Sequence, residues 1–248
     1  MKIKTTSAVA ALAALLSACG GGGGDGAASS ASTSTSTSTS TSTSASPAPV
    51  AVTAAAIFPL DTLYKQLSTT GISLNGTAID GVDTWTIALS VAPTSDETFE
   101  GATSKKSLQA ITIKKNGATV VSSGSESYFT LNPFSLKGFK FNDGTYGVQT
   151  VAGGVFSNAA KVGDSGSLGI TTIYSNSSKS SVLSTHEGTW TLEADTATTA
   201  FGCSNITSKN TSGTVVSTTS GCYKIDTNGT VKGIKYTVAV AGKTFVFR

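Results

Sequence analysis

Charged and aromatic side chains are scarce in this sequence. Of its 248 residues, 12% are Asp, Glu, Lys or Arg, and 7% are Phe, Trp or Tyr. The charged share is roughly half of that in an average globular protein, which argues against a coiled coil or a helical bundle. The formal net charge of +3 falls by two, to +1, if Lys2 and Lys4 are removed with a leader. We therefore expect neither a basic surface for nucleic acid nor an acidic tail.

Histidine is scarce as well, since His186 is the single one in the chain. A zinc site of the usual kind needs several His or Cys ligands, and the sequence has no such group at close spacing. We expect no metal and no other cofactor. The chain is instead rich in Ser and Thr, 77 residues together, and in glycine, 27 residues. This composition does not indicate a specific biochemical activity.

Residues 1–18 have the layout of an export signal, with a basic start, an apolar stretch from Ala8 to Leu16, and small residues after it. The apolar stretch has about nine residues, whereas a spanning helix needs roughly 20. Leu16-Ser17-Ala18-Cys19 resembles the lipobox of bacterial lipoproteins, which signal peptidase II cleaves before the cysteine. The resemblance implies that Cys19 becomes the first residue, carries a diacylglycerol, and receives a further acyl chain, such as palmitate, on its amino group.

Acyl chains on Cys19 would make membrane attachment effectively permanent, because each buried methylene contributes about 0.8 kcal/mol. In bacterial lipoproteins, an aspartate directly after the cysteine tends to retain the protein in the inner membrane. That residue is Gly20 here. The resemblance thus predicts a lipid anchor in the outer membrane, either on its periplasmic face or at the cell surface. An ordinary secretory leader with a chance cysteine is the alternative.

Residues 19–50 are predicted to be a disordered tether that begins with the lipidated cysteine. Gly20–Gly24 is an unbroken glycine run, and Ser32–Ser44 alternates Ser and Thr. No large apolar side chain occurs before Val50, so nothing offsets the chain entropy that folding would cost. About 30 residues of flexible chain span roughly 30 Å on average. The tether is either a simple spacer or a means of clearing other surface structures.

Residues 51–248 are predicted to form an all-β domain with one short helix near its start. Four apolar residues share one helical face, namely Leu60, Leu63, Tyr64 and Leu67. Pro59 fits the first turn of this helix, and Gly71 fits a stop beyond its end. Farther along, apolar residues recur with a period of two through residues 85–91, 190–194 and 234–240. This period is typical of half-buried antiparallel strands.

Turn residues separate the predicted strands. The turn motifs are Asn116-Gly117, Asn142-Asp143-Gly144 and Asn228-Gly229, and Ala241-Gly242 is placed to join the last two strands. Asn-Gly and Asp-Gly supply the positive φ that tight hairpins need. Short strands with frequent turns indicate an antiparallel sandwich or an up-and-down barrel.

Two short motifs of the β-domain occur twice and in the same order. The pairs are Trp85-Thr86-Ile87 with Trp190-Thr191-Leu192, and residues 136–141 with residues 231–236. If they reflect an internal duplication, two related β-halves, 72–151 and 168–248, pack together. Otherwise one larger barrel or sandwich contains all the strands, since short β-motifs also recur by chance.

Cys203 and Cys222 remain once Cys19 is assigned to the lipid, and an exported protein meets conditions in which disulfides persist. The 18 residues between them are rich in Ser, Thr, Asn and Gly, and we expect this segment not to hold its own shape. A disulfide closing a loop of this size should stabilise the fold by roughly 3 kcal/mol. Two free thiols and a metal site are the alternatives.

Two segments resemble catalytic motifs, but we interpret neither as catalytic. Gly163-Asp164-Ser165-Gly166-Ser167 resembles the nucleophile segment of chymotrypsin-like proteases, whose serine needs a histidine base upstream of it. The single histidine, His186, lies downstream. His186-Glu187 could act as an acid–base pair, yet neighbours in a strand point to opposite faces. We interpret Ser165 as part of a turn and expect the protein not to be an enzyme.

Gly188-Thr189-Trp190 resembles the Gly-x-Trp motif of lipocalins, in which the tryptophan closes the floor of a ligand-binding barrel. In lipocalins the motif lies on the first strand, whereas here only about 60 residues follow it. Because these residues hold too few strands to complete an eight-stranded barrel, we predict that Trp190 is a core residue.

Three functions follow as hypotheses from these observations. The first is a non-enzymatic outer-membrane lipoprotein that displays a tethered β-domain for binding or structural interaction with an unknown protein. The second is a carrier of a small apolar ligand, which predicts a substantial apolar cavity inside a barrel. The third is an envelope hydrolase, which requires Ser165 or the His186-Glu187 pair to meet in one cleft.

Overall fold

The computed structural model describes residues 56–240 and 243–248. The predicted leader, Cys19 and the tether lie outside these residues. One helix, α1 (Leu60–Thr69), comes before the strands. The strands are β1 (Ile72–Asp80), β2 (Asp83–Val91), β3 (Ser95–Phe99), β4 (Ala102–Lys115), β5 (Ala118–Leu131), β6 (Phe134–Phe141), β7 (Tyr146–Ala152), β8 (Ser165–Tyr174), β9 (Val182–Ala194), β10 (Thr199–Asn210), β11 (Val215–Asp226), β12 (Val231–Val240) and β13 (Lys243–Phe247).

The strands form one antiparallel, barrel-like sheet in which neighbours in sequence are neighbours in space. The order is β1-β2-β4-β5-β6-β7-β8-β9-β10-β11-β12-β13, and β3 pairs with β4 beside this path. The first and last strands meet where the Thr77 amide donates to the Arg248 carbonyl at 2.8 Å and the Arg248 amide donates back at 3.2 Å. The sheet is therefore nearly closed. The prediction of an all-β, antiparallel sandwich or barrel with one short helix is confirmed, and of the two architectures the sheet has the barrel-like one.

The barrel has two ends of different construction. Because the pairing is antiparallel throughout, the turns β1–β2, β4–β5, β6–β7, β8–β9, β10–β11 and β12–β13 all lie at one end, which we call the hairpin end. Helix α1, the connection 153–164 and the turns β5–β6 and β11–β12 lie at the other end, the helix end. The described chain begins at the helix end, where Phe58 pairs with Ala160.

Three of the predicted turn motifs adopt the backbone conformations expected for them, and the fourth, Ala241-Gly242, lies outside the described residues. Asn116 and Gly117 both have positive φ, 50° and 84°, and connect Lys115 to its partner Ala118. Gly144 and Gly229 have φ of 91° and 80° in the β6–β7 and β11–β12 turns. These values match the requirement of short hairpins for a left-handed residue, which glycine and asparagine adopt at low cost.

Helix α1 packs its apolar face into the helix end of the barrel. Leu60 and Leu63 are fully buried. Pro59, predicted in the first turn, is instead the N-cap residue directly before it. The helix lies against Gly202 of β10, where an added Cβ would come within 2.6 Å of the Leu63 side chain. Glycine at this position therefore allows the helix to approach the sheet. The Tyr64 hydroxyl is 2.7 Å from the Ser204 hydroxyl on the same strand.

The hairpin of β3 and the start of β4 folds over the outer face of the sheet. The Phe99 ring stacks on Tyr128 at 4.3 Å and packs against Tyr146 at 5.3 Å between ring centroids. It lies over Gly138, where an added Cβ would be 2.5 Å from the ring. Glu100 accepts hydrogen bonds from the Tyr146 hydroxyl and from Lys179. This flap forms a second, small apolar cluster outside the barrel.

The inside of the barrel is largely filled by side chains. On the inner face of β11, β12 and β13, large buried residues form what we call the apolar wall: Tyr223, Ile225, Ile234, Tyr236, Val238, Phe245 and Phe247. Hydroxyl and amide side chains occupy much of the inner face of β4 and β5 instead. The outer face carries Ser and Thr together with Lys–carboxylate ion pairs, such as Lys115–Asp83 at 2.6 Å.

The two repeated motifs occupy corresponding strands of the sheet. In the runs β1-β2-β4-β5-β6-β7 and β8-β9-β10-β11-β12-β13, the tryptophan lies on the second strand and the other motif on the fifth. Trp85 and Trp190 both point inward. However, Trp85 lies near the hairpin end of its strand, while Trp190 lies near the helix end. The repeats match in order and in face, but not in height along the barrel.

Candidate functional site

A cavity of about 60 Å³ lies inside the barrel beneath helix α1. Helix residues form its roof, strands β4 to β8 form its walls, and the connection after β7 lies at its side. The lining residues are Tyr64, Leu67, Ser68, Val91, Gln109, Ser127, Phe129, Phe134, Ser135, Leu136, Gln149, Gly153, Gly154, Phe156 and Leu168. Ser135 and Gly153 are half-buried and Gly154 is exposed, so the cavity opens to solvent between the β5–β6 turn and the start of the connection after β7.

Four polar side chains lie side by side on the inner face of the β4–β5 hairpin, next to this cavity. We call Ser107, Gln109, Ser125 and Ser127 the serine–glutamine cluster. Gln109 is directly opposite Ser125, and Ser107 is directly opposite Ser127. Residues paired in this way have Cβ atoms about 4.5–5.5 Å apart. The register of one hairpin therefore brings all four side chains together.

Every member of the cluster has a buried polar atom without a hydrogen-bond partner. These atoms are Oε1 of Gln109 and the hydroxyl oxygens of Ser107, Ser125 and Ser127. The four residues are between 1% and 8% exposed. Burying a polar group without a partner costs about 1–3 kcal/mol. An unpaired group of this kind in a folded protein calls for an explanation, such as a bound molecule or water.

Aromatic rings line the cavity together with these polar side chains. Tyr64 of the helix stacks on Phe156 with ring centroids 3.9 Å apart, and Phe129 stacks on Phe134 at 5.5 Å. Tyr64 is neutral at physiological pH, because burial raises the pKa of its hydroxyl to about 12. The cavity thus combines flat apolar walls with a polar floor. This combination is common in sites that bind small molecules.

A second void of about 20 Å³ lies next to the first and is bounded by His186. Leu136 and Leu168 line both spaces and separate them. His186 is 7% exposed, and burial lowers the pKa of its imidazole to about 4. Its Nε2 atom is 3.5 Å from the Ser184 hydroxyl. The imidazole is therefore neutral at pH 7.

The structure does not bring the catalytic candidates together. His186 points into the barrel, while Glu187 points outward and pairs with Lys209 at 2.6 Å. Ser165 is exposed on the outer face and pairs in register with Thr191. Thr191 is five residues from His186 along β9, which corresponds to roughly 17 Å. Ser165 and His186 thus lie far apart on opposite faces of the sheet.

Trp190 lies inside the barrel at the helix end and is 7% exposed. Its indole packs over Gly166, where an added Cβ would be 2.6 Å from the ring nitrogen, and near Phe156 at 6.4 Å. It belongs to the largest apolar cluster of the protein. Trp190 is a core residue, as predicted.

Cys203 and Cys222 face each other in register on β10 and β11 and form a disulfide. The segment between them was expected to lack a shape of its own. It forms a long β-hairpin instead, because its Ser and Thr side chains suit a sheet surface and its backbone pairs along both strands. Glu193 lies beside the two sulfurs. The bonded sulfurs are not thiolates, however, and Glu193 pairs with Lys235.

The serine–glutamine cluster was not predicted from the sequence. Residues 122–127 read Ser-Ser-Gly-Ser-Glu-Ser, so both faces of β5 are polar and the apolar period of two is lost. The two ends of this polar stretch still indicate which face of β5 is the inner one. Val121 and Phe129, at these ends, lie on the same face as the serines at 123, 125 and 127. A strand that joins two inward apolar residues would place the serines between them inside the barrel.

No known protein family, characterised protein or solved structure matches the chain. Within residues 56–240 and 243–248, no helix has the length and apolar character needed to cross a bilayer.

Proposed function

We propose that the protein is a lipid-anchored lipoprotein of the bacterial outer membrane that displays its β-barrel for binding, without catalysis. The lipobox-like residues before Cys19 support the anchor. The binding role rests on one observation, namely that side chains largely fill the inside of the barrel. The cavity beneath α1, about 60 Å³, is far smaller than the roughly 300–1,000 Å³ of typical ligand pockets. A larger hollow of about 480 Å³ near the β6–β7 turn is an open depression that exposed side chains such as Leu108 and Lys140 line in part. The barrel is therefore a rigid support rather than a closed container.

The hairpin end is the best candidate for the binding surface. Exposed aliphatic side chains lie at or near four of its turns: Val82, Val120, Val182, Leu183, Val215 and Val216. Charges there are paired, as in Lys115–Asp83 and Lys243–Asp80. A rim of this kind suits an uncharged, partly apolar partner, because binding would not leave a charge buried and unpaired.

The position of the first described residues also supports the hairpin end as the binding surface. The described residues begin at the helix end, near the Phe58–Ala160 contact. A tether attached there would leave the hairpin end on the side away from the attachment point. The proposed anchor and the proposed binding surface thus lie at opposite ends of the barrel and would not compete for space.

Metabolic labelling with a clickable fatty acid tests the anchor. The wild-type protein should carry the label and remain with outer membranes after high-salt washing. Cys19→Ala should lose the label and be released from the membrane, whereas Ser17→Ala, which keeps a small residue, should retain both. Equal labelling of Cys19→Ala and the wild type would contradict the proposal.

Site-specific photo-crosslinking in living cells tests the binding surface. A photoreactive residue at Val82, which is 99% exposed, should trap a defined partner. The same residue at Ser122, which is exposed on the outer face of β5, serves as the control and should not. Crosslinks of equal strength at both positions would indicate no specific use of the hairpin end.

A further inference from the structure

We propose that the cavity beneath α1 binds a small, neutral, hydroxyl-rich molecule, such as a polyol or one edge of a sugar ring. Gln109 and Ser127 of the serine–glutamine cluster form the polar floor that recognises it. One hypothesis from the sequence was a carrier of a small apolar ligand, and the polar floor of the cavity favours a hydroxyl-rich ligand instead. This site does not depend on the lipid anchor or on the use of the hairpin end.

The hydrogen-bonding capacity of the cluster points to hydroxyl groups. Each serine hydroxyl donates one hydrogen bond and accepts others, while Oε1 of Gln109 only accepts. Gln109 and Ser127 line the cavity directly, and Ser107 and Ser125 lie beside them on the same hairpin. A ligand that pairs with Oε1 of Gln109 and with the Ser127 hydroxyl must donate to the first and can donate to or accept from the second. Adjacent hydroxyl groups on a carbon chain or ring have this property. A purely apolar molecule would leave every one of these atoms unpaired.

The charge around the cavity excludes an ionised ligand. None of the described residues that line it carries a charge at physiological pH. Lys65 on the helix and Lys105 on β4 are already paired, with Asp61 at 2.7 Å and with Asp96 at 2.5 Å. Lys137 donates from Nζ to the hydroxyl of Ser135 at 3.5 Å, but it is exposed and lies at the opening rather than at the floor. A buried carboxylate or ammonium group would lose its hydration without gaining an opposite charge, at a cost of several kcal/mol.

The aromatic walls suit the carbon side of the same molecules. The rings of Tyr64, Phe156, Phe129 and Phe134 line the cavity beside the polar floor. The C–H face of a polyol or sugar is apolar and can pack on such rings while its hydroxyl groups point away from them. The rings thus fit the carbon skeleton, and the polar floor fits the hydroxyl groups.

The size of the cavity limits the ligand. One water needs roughly 10–15 Å³ of comparable space, so about 60 Å³ corresponds to roughly four to six water-sized groups. Glycerol, with six non-hydrogen atoms, is of this size. A sugar ring could place one edge inside while the rest extends through the opening beside Gly154, which is exposed and has open space around its Cα.

Nuclear magnetic resonance of the isotope-labelled, full-length Cys19→Ala protein tests the site with glycerol and glucose as probes. We expect saturable chemical-shift changes at the Gln109 side-chain amide and at Ser125 and Ser127 with at least one of the two. Saturation by glycerol alone would indicate a polyol, and saturation by glucose would indicate a sugar edge. Glucuronate, which is charged, should bind at least 10-fold more weakly than glucose.

The proposal is overturned if neither probe gives saturable shifts, or if a crystal soaked in both probes contains only ordered waters next to the cluster. It is also overturned if cyclohexanol or another mainly apolar probe of similar size binds as well as glycerol. In that case the cavity would act as an apolar pocket, and the cluster would have no part in recognition.

Variants of the cluster distinguish recognition from structural support. Gln109→Leu and Ser127→Ala should each weaken binding of the probe by about 5–10-fold, the typical effect of one lost hydrogen bond. Both should melt at or above the wild-type temperature, because each removes an unpaired buried group. Ser122→Ala, on the outer face of the same strand, should change neither property. Unchanged affinity in both cluster variants would overturn the proposal.

A variant at the opening provides an independent test that leaves the cluster intact. An added Cβ at Gly154 has the Ser167 carbonyl 3.7 Å away as its near neighbour, so a side chain can be accommodated there. Gly154→Phe should block access and reduce probe binding at least 10-fold without lowering the melting temperature. Wild-type binding in this variant would show that the probe does not use the cavity.

Discussion

The apolar wall and the serine–glutamine cluster lie on the inner face of the same sheet, yet they have opposite chemistry. In the apolar wall, Tyr236 and Phe247 are fully buried among other large side chains. In the cluster, Ser107 and Ser127 are almost as deeply buried, but their hydroxyls have no partner. The first region stabilises the barrel through buried apolar area. The second reduces its stability, a cost that is understandable if the groups serve a ligand.

The comparison of these two regions shows that burial alone does not indicate whether the side chains of a strand stabilise the barrel. Both regions have paired backbones, since β11 pairs with β12 and β4 pairs with β5 in antiparallel register. The difference lies in the side chains, since apolar burial gains roughly 25 cal/mol per Å² whereas an unpaired hydroxyl costs free energy. Four predictions follow. The first and last test the contributions of the apolar wall and of the cluster to the free energy of unfolding, and the other two compare them with the disulfide and with His186. The expected effects decrease in the order given.

The largest effect is expected in the apolar wall. Phe247→Ala should lower the free energy of unfolding by about 3–5 kcal/mol, because it leaves a cavity beside the closing contact between β1 and β13. Urea unfolding measures this change. The adjacent Val246 is 44% exposed on the outer face, and Val246→Ala should change stability by less than about 0.5 kcal/mol. Similar losses in both variants would mean that Phe247 is not a core residue in solution.

Loss of the disulfide should have the next largest effect. The bond links residues 19 apart in sequence, and a closed loop of this size contributes roughly 3 kcal/mol through the entropy of the unfolded chain. Thermal unfolding of Cys203→Ala/Cys222→Ala against the oxidised wild type measures the difference. The fold should persist, because the β10–β11 hairpin is paired along both strands. A double variant as stable as the wild type would indicate that the cysteines are not bonded in the native protein.

Acid should destabilise the protein through His186. Its pKa is about 4 in the folded state and about 6.5 when unfolded, so the unfolded state binds more protons between these values. Stability should therefore fall as the pH falls, by about 2 kcal/mol between pH 7 and pH 5.

Because His186 is the single histidine, the variant His186→Gln isolates its contribution. This variant should show a much smaller change in the free energy of unfolding between pH 7 and pH 5, measured by urea unfolding at both values. An undiminished pH dependence in His186→Gln would assign the effect to other groups.

The smallest expected effect has the opposite sign and lies in the cluster. Ser125→Ala removes an unpaired buried hydroxyl and should raise the free energy of unfolding by about 1 kcal/mol. Ser122→Ala on the outer face of the same strand is the matched control and should be neutral. A clear loss of stability in Ser125→Ala would show that its hydroxyl has a protein partner in solution.

Much of the fold could be predicted because its signals are local. The positions of Leu60, Leu63 and Tyr64 predicted α1, and the alternation after Trp85 predicted β2. Asn116-Gly117 predicted a tight turn, because the positive φ that it needs depends on those two residues alone. The candidate site left little local signal, since Ser123, Ser125 and Ser127 lie among other small polar residues on β5.

The sequence by itself determined the helix, strands with a clear apolar period such as β2 and β12, the Asn-Gly turns and the all-β class, because each depends on neighbours a few residues apart. The tertiary structure alone decided that the sheet closes between Thr77 and Arg248 and that the β4–β5 hairpin turns its serines toward a cavity roofed by α1. These features depend on the register of distant strands and on the space left between facing walls. No period in the sequence encodes that space, since residues about 40–60 positions apart must meet before it exists.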